Sequence, residues 1–173
     1  SLVGSEMCIR DRVEMSVAYP NLPVTFVGFV PGITTPGGVT HQSINDVGIM
    51  RTVPNMAIFD VGDATDIEGV LDLVYEWNGP AYIRMLRKEV PRLFPANEPM
   101  VFNRARTITE GDDVLILSSS ICTEEAMRAT AALEDKGVSV QHMHVSTLKP
   151  FTDPTIVAVS YTHLRAHETR RHL

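Results

Sequence analysis

Runs of apolar residues alternate along this chain with segments in which apolar residues recur at helical spacing. In the first half, three apolar runs predict β-strands: Val24–Val30, Met56–Val61 and Ala81–Leu86. They are apolar at consecutive positions rather than at every second one, which is typical of strands buried on both faces of a parallel sheet. Helices are predicted between them, from about Ser43 to Pro54 and from the N-cap residue Asp63 to about Asn78. Strand, helix and strand in this order indicate crossover connections.

The pattern breaks at residues 88–112 and then starts again. This stretch carries three prolines and mixed charges without periodicity, so we predict a surface segment with one edge strand near Met100–Phe102. Beyond it, the pattern predicts a strand, a helix, a second strand and a loop: Asp113–Ser119, Ser120–Leu133, Val138–Val145 and 146–151. The predicted fold class is therefore α/β, with two partial doubly wound units and mostly parallel sheets.

The predicted domain boundaries follow from this break. We expect a first domain at residues 13–95, a linker at 96–112 and a second domain at 113–157. Residues 1–12 and 158–173 do not continue the patterns of the middle, and we expect both to be non-native tails of the kind that adapter sequences produce. A genuine exposed basic tail is the alternative for the second of them. The chain begins with serine rather than methionine, which fits a fragment.

Composition narrows the classes of function. The 173 residues are 44% hydrophobic and 21% charged, with a net charge of -6. An acidic balance argues against binding to nucleic acids or anionic membranes, which requires a basic face, and no apolar run approaches the roughly 20 residues that span a bilayer. The two cysteines, Cys8 and Cys122, lie far apart and outside any metal-binding spacing. We therefore expect a reduced, cytoplasmic protein without a disulfide.

The most informative stretch for function is the loop that leads from the first strand into the first helix. It reads Pro36-Gly37-Gly38-Val39-Thr40-His41-Gln42-Ser43 and follows the carboxyl end of a strand, where ligands of α/β proteins bind. His41 is the candidate catalytic residue, because imidazole can donate or accept a proton near neutral pH. The alternative is a loop histidine that caps the helix.

A pair of histidines in the second unit raises the question of a metal site. His142 and His144 are two residues apart in a predicted strand and therefore share one face of it. No third ligand accompanies them, so we expect an exposed or interface strand face and no metal site in this chain. Cys122 is predicted to be a small residue at the start of a helix.

Several short motifs in the first unit together resemble the pyrimidine-binding domain of transketolases. They are Ala18-Tyr19, Gly28, Gly38-Val39-Thr40-His41-Gln42, Asp46, Met50-Arg51 and Pro54-Asn55-Met56, followed by Gly62-Asp63-Ala64, Arg87 and Pro91. The second unit, from Gly111 to Phe151, is similar to the transketolase C-terminal domain. The resemblance covers about residues 13–157 and points to the C-terminal subunits of split bacterial transketolases.

This resemblance implies a thiamine-diphosphate-dependent transferase that moves a two-carbon ketol unit from a ketose to an aldose. In such enzymes the active site lies between two protomers. One protomer binds the pyrimidine ring of the cofactor, and the other binds its diphosphate with the Mg or Ca ion. The resemblance implies that His41 hydrogen-bonds substrate oxygens and that Arg87 holds the substrate phosphate. The cofactor-binding residues of this chain remain unknown, because the activating glutamate and the stacking aromatic residues are expected upstream of residue 13.

Two positions depart from the family pattern. Gly37 stands where the family commonly has an aspartate that contacts a donor hydroxyl. Phe29 or Val30 stands where it has a histidine near the phosphate. These departures leave open which ketose and aldose are used and whether the substrate is phosphorylated. They also keep open a different class of function, a non-catalytic assembly module that retains the fold.

The expected partners are an N-terminal diphosphate-binding subunit or domain and a sugar or sugar phosphate, in a homodimer or heterotetramer. If the chain is an enzyme but not a transketolase, the alternative is a related thiamine enzyme, either deoxyxylulose-phosphate synthase or the β subunit of a 2-oxoacid dehydrogenase. The Thr40-His41-Gln42 motif disfavours the dehydrogenase, in which His-Ser-Gln is expected. We expect the isolated chain to be inactive, because it supplies only half of the cofactor site.

Overall fold

The computed structural model describes residues 10–29, 32–34, 37–86 and 89–170. Within them, the strands are β1 Thr25–Phe29, β2 Ala57–Asp60, β3 Ala81–Met85, β4 Arg106–Thr109, β5 Val114–Ser118, β6 Val140–His144 and β7 Thr147–Lys149. The α-helices are α1 Asp46–Thr52, α2 Ala64–Glu76, α3 Cys122–Glu134 and α4 Pro154–Arg170. A π-helical segment at Glu14–Ala18 and a 3₁₀ turn at Gly32–Thr34 are shorter.

The strands form two mixed sheets in which most pairings are parallel. The first sheet has the order β1-β3-β2-β7, and β3 runs parallel to both β1 and β2. The second has the order β4-β6-β5, and β5 runs parallel to β6. Each sheet also has one antiparallel edge strand, β7 beside β2 and β4 beside β6. The predicted α/β class is therefore confirmed, with helical crossovers between the parallel strands.

Two expectations about the second half of the chain were wrong. The edge strand expected near Met100–Phe102 is absent; the strand is β4, which begins at Arg106 within the predicted linker. Met100 is instead buried against α2, where a Cβ at Gly69 would lie 2.8 Å from the Met100 Cβ. The loop expected after β6 contains β7, which pairs with β2 of the first unit. Both strands are short and depend on partners distant in sequence, so local apolar patterning does not reveal them.

The core of the first unit covers both faces of its sheet. On one face, the buried side chains come from β2, β3 and α2, and include Phe59, Ile83 and Val70. On the other, they come from β2, β3 and the segment after α1, and include Ile58, Tyr82, Val53 and Met56. β2 is buried at every position, as predicted for a central strand. Each large apolar side chain buried in this way contributes about 1.5–3 kcal/mol.

Asp63 begins α2 and ties the segment after β3 to it. Its Oδ1 accepts a hydrogen bond from the Asp66 amide at 2.9 Å, which confirms the predicted N-cap. Its Oδ2 accepts hydrogen bonds from the amides of Leu93 and Phe94, at 2.7 and 3.0 Å. One buried carboxylate therefore satisfies three backbone amides on two segments of the chain.

Asp63→Ala is expected to lower the free energy of unfolding by about 3 kcal/mol, because it removes a helix cap and two charge-assisted hydrogen bonds. Urea denaturation measures this loss. Asp72→Ala is the matched control on the exposed face of the same helix and is expected to change the free energy by less than about 0.5 kcal/mol. Equal losses in the two variants would contradict the assigned role.

Two buried histidines of β6 lie at and near the contact between the units. His142 and His144 are both fully buried, so the strand face is not exposed, and His144 makes it an interface. His144 Nε2 lies 2.6 Å from Asp66 Oδ2 in the first unit, and His144 Nδ1 lies 2.8 Å from Thr123 Oγ1. Asp66 Oδ1 also accepts a hydrogen bond from Arg106 at 3.0 Å. These histidines are buried because β6 is the central strand of its sheet.

A chain of hydrogen-bonded hydroxyl groups connects His144 with His142 inside the second unit. Thr123 Oγ1 lies 3.2 Å from Ser118 Oγ, and Ser118 Oγ lies 2.7 Å from His142 Nε2. Burial and the neighbouring His144 lower the pKa of His142, so its ring is neutral at pH 7. The buried polar groups along this line therefore have hydrogen-bond partners, which limits the cost of their burial.

Acid is expected to weaken the contact between the units through Asp66. Burial alone would raise the pKa of this carboxyl, but hydrogen bonds from His144, Gly62 and Arg106 outweigh burial and lower it. A lowered folded-state pKa gives stability that is present above the unfolded-state value of about 3.9 and is lost as the pH falls through the folded-state value.

We therefore expect the free energy of unfolding to fall as the pH drops below about 4, and Asp66→Asn to show a smaller fall. Urea denaturation at a series of pH values measures this, with the exposed Asp112→Asn as the control. The same pH dependence in Asp66→Asn as in the wild type would contradict the role of this carboxylate.

Candidate functional site

The loop that carries His41 is closed by backbone hydrogen bonds beyond the end of β1. The Gly32 amide donates to the Ser43 carbonyl at 2.7 Å, and the His41 amide donates to the Gly38 carbonyl at 3.0 Å. Gly38 has a φ of 74°, in the left-handed region that glycine adopts without strain. His41 therefore sits in a defined turn at the carboxyl edge of the first sheet.

The His41 ring is exposed and folds back onto Gly37. Its Nδ1 lies 3.0 Å from Thr40 Oγ1, and within the described part of the chain no residue hydrogen-bonds its Nε2. A Cβ at position 37 would lie 3.0 Å from His41 Cβ and 3.1 Å from its Cγ. Glycine at this position therefore makes room for the ring, and an aspartate there would require the ring to move. The arrangement leaves Nε2 open to a ligand.

The other predicted site residues have different outcomes. Arg87 lies outside the described residues, as does Val30, so the phosphate contact stays a prediction. Phe29 ends β1 and is exposed. Gln42 donates to the Ile33 carbonyl at 3.5 Å within the loop.

Asp46, one of the motif residues, lies in a cluster of polar side chains beside the loop that the sequence did not predict. Asp46 begins α1, and its Oδ2 accepts hydrogen bonds from Tyr82 Oη at 2.8 Å and Arg84 Nε at 3.0 Å. Tyr82 and Arg84 are alternate residues of β3 and share one face of the sheet. Tyr82 crosses Gly28 of β1, where a Cβ would lie 2.3 Å from the Tyr82 hydroxyl oxygen. A glycine and an arginine inside otherwise apolar strands were the available signals.

Arg84 also contacts a second carboxylate, which is buried. Its NH1 lies 3.5 Å from Asp60 Oδ2, and the same oxygen accepts a hydrogen bond from Ser119 Oγ at 3.0 Å. Asp60 ends β2 and Ser119 follows β5, so this contact joins the two units. Oδ1 of Asp46 and Oδ1 of Asp60 are buried and have no hydrogen-bond partner among the described residues. Arg84 is therefore the cation that compensates both carboxylates.

The protonation states of this cluster follow from its burial. Burial raises the pKa of Asp60, although the charge of Arg84 and the hydroxyl of Ser119 oppose the rise. Burial and the Asp46 carboxylate raise the pKa of Tyr82, so its hydroxyl stays protonated and donates to Asp46. The cluster is thus one cation held between two carboxylates at the edge of the sheet.

Exposed apolar side chains lie before and after His41 in the chain. Several large side chains between residues 29 and 44 are mostly exposed: Phe29, Ile33, Val39 and Ile44. Exposed apolar side chains grouped in this way are typical of a binding surface. Among the described residues, no group of three or more His, Cys, Asp or Glu is arranged to hold a metal ion. None of the helices in that part of the chain has the length and apolar character needed to cross a membrane.

Comparison with known proteins identifies the family. Residues 6–92 match the transketolase pyrimidine-binding domain, and residues 103–167 match the transketolase C-terminal domain. The chain therefore belongs to the transketolase family, as the sequence motifs implied.

Individual relatives agree with this assignment. The 6-deoxy-6-sulfo-D-fructose transketolase subunit of Clostridium sp. (strain MSTE9) is 36% identical over 150 residues, which are 86% of this chain and 47% of that protein. A 1-deoxy-D-xylulose-5-phosphate synthase of Prochlorococcus marinus (strain MIT 9303) is 31% identical over 149 residues, 84% of this chain and 23% of that protein. A solved structure, a split gene transketolase described as an inactive beta4 tetramer, is similar with a TM-score of 0.81 and 30% identity, over 88% of this chain and 49% of that one. This chain thus spans half or less of the length of these proteins.

Gly37→Ala is expected to displace the His41 ring, because the added Cβ would lie 3.0 Å from the His41 Cβ. The expected result is a shift of the His41 Cε1–H resonance in the NMR spectrum, with a change in unfolding free energy below about 1 kcal/mol. Gly48→Ala is the control, because a Cβ at Gly48 meets nothing within 4 Å. An unshifted His41 resonance in Gly37→Ala would refute the steric account.

Proposed function

We propose that this chain is part of a thiamine-diphosphate-dependent, transketolase-like enzyme that transfers a two-carbon ketol unit from a ketose to an aldose or aldose phosphate. The observation that carries the proposal is the exposed His41 in its turn at the carboxyl edge of the sheet. Ligands of α/β proteins bind at this edge. The name of the transketolase subunit relative supports the same class of reaction.

We infer the cofactor, thiamine diphosphate, from the chain's membership of the transketolase family. When bound, thiamine diphosphate supplies a carbanion nucleophile and an electron sink for breaking and forming the carbon–carbon bond. The described residues fit the substrate side of such a site, because they offer an open imidazole nitrogen and an apolar surface. They offer no set of metal ligands. We therefore assign the diphosphate and its Mg or Ca ion to a partner subunit, and the pyrimidine side to this chain.

His41 acts on the substrate in this proposal. Its Nε2 hydrogen-bonds oxygens of the donor sugar, while Thr40 keeps the ring oriented through Nδ1. Imidazole suits the task because it can donate or accept a hydrogen bond at neutral pH. Arg87 holds the phosphate or another anionic end of the substrate. The close contact at Gly37 supports a donor-sugar contact made without the aspartate that the family resemblance implies at this position.

The partner in this proposal is an N-terminal diphosphate-binding subunit. It would cover the exposed apolar side chains around His41, which would then form the buried centre of the interface. The assembly would be a homodimer of complete protomers or a heterotetramer of split subunits. The chain alone is inactive in this account, and the free thiol of Cys122 fits a reducing, cytoplasmic location.

Reconstitution of the parent protein with its partner subunit tests the proposal. Ketol transfer is expected only with both subunits, thiamine diphosphate and a divalent cation. His41→Ala is expected to lower kcat/KM by about 100-fold, and His41→Asn by less, because Asn keeps a donor and an acceptor. Tyr75→Ala, on the exposed face of α2, is the control and should leave kcat/KM unchanged. Wild-type activity in His41→Ala would exclude the assigned role.

A second candidate is the synthesis of 1-deoxy-D-xylulose 5-phosphate, favoured by the synthase relative. Supplying pyruvate to the reconstituted protein separates the two reactions, because only the synthase reaction releases carbon dioxide from pyruvate. A complex that assembles and binds thiamine diphosphate but performs neither reaction would favour a non-catalytic assembly module.

A further inference from the structure

We propose that Arg84 is a positioning residue for His41: it holds the start of α1 through Asp46 and links this helix to the second unit through Asp60. The consequence for catalysis rests on the function proposed above. The effect of Arg84 on the position of α1 and His41 does not depend on that function, and it can be tested on the isolated chain.

α1 cannot set its own position. It has only seven residues, no side-chain cap at Asn45 and no buried residue. A helix this short is not stable in water without outside contacts. His41 lies just before this helix, so whatever fixes the start of α1 also fixes the end of the His41 loop.

The start of α1 is fixed from β3. Asp46 accepts hydrogen bonds from Arg84 and Tyr82 on a single oxygen, at 3.0 and 2.8 Å. The side chains of Arg84 and Asp46 are only 20% and 11% exposed, so solvent screens the ion pair weakly. The carboxylate also lies in the first turn of the helix, where negative charge is favourable.

The other side of Arg84 faces the second unit. Asp60 Oδ2 contacts Arg84 and accepts a hydrogen bond from the Ser119 hydroxyl. This one oxygen therefore connects β3, which carries Arg84, with the segment after β5, which carries Ser119. The second oxygens of Asp46 and Asp60 have no partner among the described residues. Loss of Arg84 would leave one buried and one partly buried carboxylate without a cation, and the buried Asp60 would take up a proton more readily.

The end of α1 is held by the second unit as well. The guanidinium of Arg51 donates to the Leu148 carbonyl, and Lys149 Nζ donates to the carbonyls of Arg51 and Val53. Leu148 and Lys149 belong to β7. The helix beside His41 is therefore fixed at its start by Arg84 and at its end by β7.

The first test is the His41 Cε1–H resonance in the NMR spectrum of the 173-residue chain. Arg84→Met is expected to shift it, because Asp46 loses its charged partner. Arg128→Met, whose parent side chain is 65% exposed on α3, is the matched control and should leave it unchanged. An unshifted resonance in folded Arg84→Met would overturn the proposal.

The second test is pH dependence. The charged and titratable groups that face Asp60 and Asp46 are Arg84 and Tyr82. Burial already raises the folded-state pKa of Asp60. Without Arg84 this pKa rises further above the unfolded-state value, so stability is lost as the pH increases through the folded-state value. Arg84→Met should therefore lose more of its thermal midpoint at pH 7 than at pH 5. Equal losses at both pH values would count against the shared cation.

A rescue variant separates positioning from general damage. Arg84→Met combined with Asp60→Asn removes one buried charge and should recover at least half of the lost thermal midpoint. The His41 resonance should stay shifted, because Asp46 still lacks its charged partner. If Arg84→Met does not fold, Arg84→Lys serves instead, because it keeps the charge but loses the planar fork that reaches both carboxylates. An unshifted His41 resonance in either folded variant would refute positioning.

The reconstituted enzyme connects this result to catalysis. Arg84→Lys is expected to lower kcat by about tenfold, since displacement of a contact group by an ångström can cost as much as 100-fold. If the wild type transfers no ketol unit, the proposed function fails while the NMR result stands. If the wild type is active and Arg84→Lys is equally active, the positioning role fails while the proposed function stands.

Discussion

A buried carboxylate shared between the two units sets the arrangement on which the rest of the structure depends. Asp66 accepts a hydrogen bond from Arg106 and contacts His144, and the carboxylate and the imidazole are both fully shielded from solvent. Removing one member of such a buried set leaves the others uncompensated, which is far more costly than losing a surface pair. The second unit is therefore held in one position, and from there it contributes β7 to the first sheet.

The candidate site lies at the edge of that shared sheet. The His41 turn is closed by its own backbone hydrogen bonds, but the short helix after it depends on side chains from β3 and β7. Among the described residues, none of the second unit hydrogen-bonds the His41 ring. The second unit nevertheless fixes the helix that follows the His41 loop. In our proposal the partly buried Arg84–Asp46 ion pair, acting through this short helix, sets the orientation of the His41 imidazole.

Sequence alone could predict the parts of the fold that depend on local periodicity and turn chemistry. β2, α2 and the Asp63 cap follow from neighbouring residues, and the His41 turn follows from its glycines and from the family motif. β4 and β7 could not be predicted, because each is defined by a partner strand far along the chain. The Arg84–Asp46 pair joins residues 38 apart in sequence, and no local pattern indicates which carboxylate an arginine in a strand will find.

The central claim is that His41 contacts the donor sugar in a complex that binds thiamine diphosphate. A crystal structure of the parent protein with its partner subunit, thiamine diphosphate and a donor ketose tests this most directly. We expect a ring nitrogen of His41 within about 3.2 Å of a ketose oxygen. A ketose bound in the same complex with His41 out of reach, and with no bridging water, would contradict it.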